Sequence, residues 1–315
     1  VKDILLKRLL QLLAVVWGVG TLTFILMRAL PGDMAYRIAA SRYGHDNVDA
    51  QAATLVREEL GLDANPFLLY INWLFDLLQF KLGDSLVSGT PVIDSVQHML
   101  GYSVLLAVTG LFISILIAIP LGLLSAWKGN PIDNAVMAFS SVVRAMPVFV
   151  IGVIFLMLFA LHWNWFPVAG FGTPAHLVLP ALTLALSLAA VSNRVVKSSA
   201  QRVFKSSFYT FAQVKGLSKW RTFHRHGIRN IALPVVAFFG IQLISMIEGI
   251  VMIESLFSWP GIGHGLAHAI FARDIPVIQG AALIMGVLFV LLNTLIDLLC
   301  YWIDPRAGDV KGERA

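Results

Sequence analysis

Cysteine is nearly absent from this chain. Cys300 is the only one in 315 residues, which excludes a disulfide framework and a thiolate metal cage. Charge is scarce as well: Asp, Glu, Lys and Arg make up 13% of the residues, against roughly a quarter in soluble domains. There is no Gly-x4-Gly-Lys-Ser/Thr, so the chain does not hold a nucleotide by a P-loop. Gly-x-Ser-x-Gly and His-Glu-x-x-His are missing too, which leaves no visible constellation for acyl transfer or zinc-dependent proteolysis. The stretch from Arg194 to Asn230 lacks Asp and Glu altogether.

What the chain has instead is apolar length. Hydrophobic residues make up 58%, in long runs rather than amphipathic stripes, and about 20 apolar residues carry a helix across a bilayer. The runs predict an all-α polytopic protein with six spans, at 9–28, 101–127, 134–161, 177–196, 231–253 and 280–302. The first is too long for the apolar region of a secretory signal and reads as an uncleaved anchor. Pro120, Pro147 and Pro180 lie inside spans, where neighbouring helices satisfy the carbonyls that proline frees.

Lysine and arginine set the orientation. Nine of them fall between the fourth and fifth spans, from Arg194 to Arg229. That loop is therefore cytoplasmic, and alternation puts both termini on the same side. Residues 31–100 are acidic on balance and belong outside. Short helices are expected there over Ala50–Leu60 and Asn65–Leu82, as a small membrane-apposed helical cap. The division is then 1–30 for the first span, 31–100 for the cap and 101–315 for a five-span core.

The basic loop, 197–230, carries more than a topology signal needs. Phe204, Phe208, Tyr209, Phe211, Val214, Leu217, Trp220 and Phe223 punctuate it, and Gly216 divides two helical stretches. Apolar groups on a helix–Gly–helix suit docking into a groove of a cytoplasmic partner. The run Phe208-Tyr-Thr-Phe-Ala-Gln-Val-Lys-Gly-Leu-Ser218, with His226-Gly-Ile-Arg-Asn230 and Leu233-Pro234, resembles the coupling segment of ABC importer permeases. More narrowly it is similar to the dipeptide/oligopeptide/nickel family. Leu30-Pro-Gly-Asp33, Leu60-Gly-Leu-Asp63, Phe257-Ser-Trp-Pro-Gly-Ile-Gly263 with Arg273-Asp-x-Pro-Val277, and Asp297 with Asp304-Pro-Arg306 follow in the family's order.

The resemblance implies a type I importer permease fold in the bacterial inner membrane and no catalysis on this chain. It implies a sister permease, two ATPase subunits that bind ATP and Mg, an extracytoplasmic solute-binding protein, and no nucleic acid. It assigns ATPase coupling to Thr210, Ala212, Gly216 and Leu217, and short peptides or similar small solutes as cargo. Nickel or a metal chelate is the alternative cargo, and an ion-driven secondary transporter is a remote third reading. Thr210 departs from the wider superfamily, which often has Glu there, and Met99-Leu-Gly-Tyr102 departs from the family's Pro-Ala-Thr.

Arg144 and Glu248 lie inside spans and outside the resemblance. Ionisable groups at membrane depth are functional candidates. Three readings stay open: a structural ion pair, a joint contact to a zwitterionic solute, or recognition of a cation by Glu248 alone. Of the eight histidines, His45, His98, His162, His176, His264 and His268 fall on or near the outer side. Their spread over four segments fits ordinary interfacial histidines. His264 and His268 alone have ligand spacing.

Overall fold

The computed structural model describes residues 2–29, 32–44, 48–61, 65–79, 81–128 and 130–303. The expectations placed on Leu30, Pro31, His45, Asp46, Asp63 and Asp304-Pro-Arg306 lie outside the described residues, as does the side chain of Glu248. Regular structure among the described residues is helical, apart from one isolated bridge between Asp84 and Pro91. In chain order the helices are α1 (Lys2–Ala29), α2 (Met34–Tyr43), α3 (Ala50–Glu59), α4 (Pro66–Leu78), α5 (Val92–Lys128), α6 (Asn130–Ala145) and α7 (Val148–Phe155). A π-turn (Leu156–His162) extends α7. Then come α8 (Pro174–Phe204), α9 (Ser207–Val214), α10 (Lys219–Thr222), a second π-turn (Phe223–Gly227), α11 (Ile228–Leu256), α12 (Ile262–Ala272) and α13 (Ile275–Ile303).

Among the described residues five stretches are long and apolar enough to cross a membrane, within Leu6–Leu26, Val92–Trp127, Pro174–Phe204, Lys219–Leu243 and Ile275–Trp302. A sixth crossing exists if α6 and α7 with its π-turn count as one, and these meet at a bend of 100°. The single straight span expected over 134–161 is thus two helices. Pro147 is the cause. A residue preceding proline is pushed out of the α region, so α6 ends at Ala145 and Met146 forms the bend. Pro120, Pro180 and Pro234 are each carried inside a continuous helix.

The chain divides into two compact units, Val1–Ser103 with Pro260–Leu291, and Val104–Trp259 with Leu292–Ala315. In the first, Ala35, Ile38 and Ala39 of α2 meet Val56 of α3 in a small apolar core. The helix α2 has no counterpart in the sequence expectation, although Asp33 and Gly44 stand at its two ends as caps. Tyr70 and Trp73 of α4 pack on α1: the Tyr70 hydroxyl is 2.9 Å from Thr21 Oγ1, and Phe24 lies edge-on to the Tyr70 ring. A second core joins Val92 and Val96 to Ile262, Ala269, Val277 and Ala281.

The second unit is organised around α8. Its inner face is small, with Ala181, Ala185, Ala189 and Ala200 buried, which lets neighbouring backbones approach closely. Gly122 of α5 uses that freedom, because a Cβ there would meet the Asn193 carbonyl oxygen at 2.7 Å. A polar ladder ties α6 to α8. Asn193 donates to Ser140 Oγ (2.7 Å), Arg194 donates to Ser141 Oγ (2.7 Å), and Lys197 Nζ lies 2.6 Å from the Asp133 carboxylate.

Candidate functional site

The basic segment after α8 is an ordered reversal. Ser206 opens α9 with extended backbone and accepts no cap from its own hydroxyl; that hydroxyl donates instead to the Val203 carbonyl. Within α9, Tyr209 and Ala212 are buried while Phe208, Phe211 and Val214 are 46%, 58% and 78% exposed. Tyr209 of the inner face belongs to a core that includes Ala118, Ala189, Val196, Ala200, Ile231 and Phe239, and α9 is seated directly on α8. Tyr209 sits 5.4 Å from the Phe204 ring. Burial pushes its phenol upward in pKa, and a hydrogen bond with Gln213 opposes that shift in part.

The helix ends on a Schellman motif. Gly216 N–H donates to the Gln213 carbonyl (2.9 Å) and Leu217 N–H to the Ala212 carbonyl (3.3 Å), the paired closing bonds of that motif. Gly216 has φ +89, yet nothing lies within 4 Å of where its Cβ would be. Glycine is needed here for the left-handed backbone and not for space. Ser218 then caps α10 by accepting from Arg221 N–H. Three of the four coupling candidates, Ala212, Gly216 and Leu217, are therefore the residues that make this turn. Thr210 is exposed, its hydroxyl turned back to the Ser206 carbonyl. Beside the segment lies a largely apolar cavity of about 860 Å³, lined by Leu123 and Trp127 of α5 together with Phe204, Tyr209, Trp220 and Phe223.

The sequence motifs on the other unit turn out to be caps and anchors. Asp33 accepts from Ala35 N–H (2.9 Å) and pairs with Arg57 (2.9 Å). Asp274 is buried, accepts from Ser85 Oγ, and accepts from Leu86 N–H at 3.0 Å. Arg42 donates from Nε to the Leu86 carbonyl (2.6 Å) and pairs with Glu59. Arg273, left-handed at φ +58, closes α12.

Of the two membrane charges, Arg144 is exposed in the last turn of α6, directly before the bend. Glu248 lies on α11, and because its side chain is outside the described residues the pairing with Arg144 is outside them too. Sequence reasoning missed Glu254, which is fully buried in the last turn of α11. Its signal was present: a carboxylate between Met252-Ile253 and Leu256-Phe257, just past the expected end of the span.

The histidines are dispersed. His176 is 2.8 Å from Thr173 Oγ1, and His98 packs on Tyr102. Among the described residues only His264 and His268 come together, with 3.2 Å between their Nε2 atoms. Burial, aided by the charge on His268, pushes the His264 pKa down. Among the described residues no group of three or more His, Cys, Asp or Glu side chains converges on one point.

Residues 118–309 match the family described as binding-protein-dependent transport system inner membrane component. The chain belongs to that family. It is a permease subunit of the bacterial inner membrane and not an enzyme. A probable peptide ABC transporter permease of Sinorhizobium fredii is 33% identical over 311 residues, 96% of this chain and 98% of that one. A glutathione transport system permease of Salmonella typhimurium is 32% identical over 301 residues, 95% and 97% of the two chains. An amino acid ABC transporter solved with histidines shares the fold, with a TM-score of 0.54 at 15% identity over 66% of this permease and 93% of the solved chain. The matched region of the permease runs from within α5 through α13 and contains the whole basic segment.

Proposed function

We propose that this permease subunit lines half of the pathway by which an ATP-driven importer takes up short peptides. The observation that carries the reading is α9. A helix with Phe208, Phe211 and Val214 exposed, set in a segment without a single acid, suits insertion into a groove on a cytoplasmic ATPase. The buried face of the same helix rests on α8, so a push on α9 is delivered to that span. The peptide cargo is supported by the names of the relatives from Sinorhizobium and Salmonella, at about one-third identity over nearly the full chain.

In this reading the bent pair α6–α7 is one span, giving six, with both termini and the basic segment cytoplasmic. Residues 1–30 form the first span, 31–100 an extracytoplasmic helical cap, and 101–315 the five-span core, with coupling through 197–230. Thr210, Ala212, Gly216 and Leu217 present the helix to the ATPase, while Arg144 and Glu248 are candidates to meet solute in the pathway. A sister permease closes the other half, two ATPase subunits bind ATP and Mg, and a solute-binding protein delivers cargo outside.

The test is ATPase activity of the reconstituted complex with a panel of short peptides. Stimulation by peptides in the wild type, lost in Gly216→Trp while the complex still assembles, is the expected result. Absence of stimulation by every peptide would overturn the cargo, and unchanged stimulation in Gly216→Trp would overturn the coupling role.

A further inference from the structure

One pair of side chains lies apart from the docking helix, on α12. His264 and His268 stand one turn apart on α12, and their Nε2 atoms are 3.2 Å apart while their ring centroids are 4.6 Å apart. The rings therefore converge on one another through their Nε2 ends. A helix supplies this arrangement because residues four apart share a face. Two kinds of bond fit it. A proton shared between the nitrogens gives an N–H···N hydrogen bond. Alternatively, a cation about 2.0–2.1 Å from each nitrogen would see the pair at about 100°, between octahedral and tetrahedral angles. His264 is half-buried and His268 exposed, so one side of the pair opens to solvent, where water completes a coordination shell.

We propose that His264 and His268 form a two-ligand surface site for a late first-row divalent cation of the Zn2+ or Ni2+ class. Imidazole nitrogens suit these ions, and the Nε2 atom of a neutral ring is a common ligand atom. The proposal is independent of the peptide reading, because the pair needs nothing from the pathway. Occupancy would brace the first two turns of α12.

The experiment uses the tag-free chain in lipid nanodiscs, with Zn2+ alone titrated against a chromophoric chelator. Co2+ serves as a second probe, read by its visible absorption bands. The expected result is one Zn2+ per chain. His268→Ala alters an exposed side chain, and losing a ligand should weaken binding at least as much as the tenfold or so that losing a ligand's supporting partner costs. His268→Asp, which restores a metal-binding side chain, should recover part of it, and His98→Ala should leave binding unchanged. Equal Zn2+ affinity in the wild type and His268→Ala, or no Zn2+ taken up by either, would overturn the site and leave the pair as a hydrogen bond only.

Discussion

The helices α2 and α3 and the helix α9 are of similar length and begin in opposite ways. The former are held by charge: Asp33 and Asp49 each accept backbone N–H groups at a helix start, and Arg42–Glu59 and Arg57–Asp33 link the two helices and their caps. Asp274 fastens the following loop through Ser85 and Leu86. By contrast, α9 starts without a side-chain cap and leaves three large apolar side chains in the open. A region whose polar groups are satisfied from within is complete as it stands. One that exposes apolar area beside lysines and arginines is built to be finished by another molecule.

The strongest way to break the contrast is Asp274→Ala. It leaves the Leu86 N–H and the Ser85 hydroxyl without their acceptor in a buried setting, at a cost of about 2–4 kcal/mol. Faster proteolysis around residues 81–91, with α9 unaffected, is the expected readout. Next is Asp33→Ala, which removes a helix cap worth about 1 kcal/mol together with the partner of Arg57. The companion Arg57→Ala should cost less, since an exposed ion pair contributes about 0–1 kcal/mol; thermal unfolding of the two variants should rank them so. The smallest effect on the chain itself belongs to Phe211→Ser, expected to stay within about 0.5 kcal/mol of the wild type. Its consequence should appear instead as weaker retention of ATPase subunits on purification. A large loss of stability in Phe211→Ser would mean that the exposed face of α9 already has a partner within this chain.

The spans were legible because hydrocarbon thickness demands some twenty apolar residues in succession, and composition reads that directly. Their true ends were not. The helix α8 runs on to Phe204 through Arg194, Lys197 and Arg202, since a helix does not stop where a bilayer does. Pro147 looked like Pro120 and Pro180, yet only Pro147 breaks its helix; which proline is tolerated depends on neighbours that a linear pattern does not contain. The helix–Gly–helix around Gly216 was readable, and its Schellman bonds explain why Ala212 and Leu217 accompany that glycine. The Lys197–Asp133 and Ser140–Asn193 contacts were invisible, because each joins residues more than fifty positions apart.

The π-turn at Phe223–Gly227 carries a consequence for comparing relatives of this chain. A π-turn holds one residue more than the α-helix it interrupts, and one residue corresponds to about 100° of rotation along a helix of 3.6 residues per turn. A relative lacking one residue between positions 223 and 227 would therefore differ less in length than in phase. Everything before the gap would be dialled round by more than a quarter-turn against α11, with Trp220 and the Phe223 ring it neighbours at 6.4 Å turning together. A gap of one in that stretch, trivial in an alignment, would re-aim the face that α10 shows to whatever docks there.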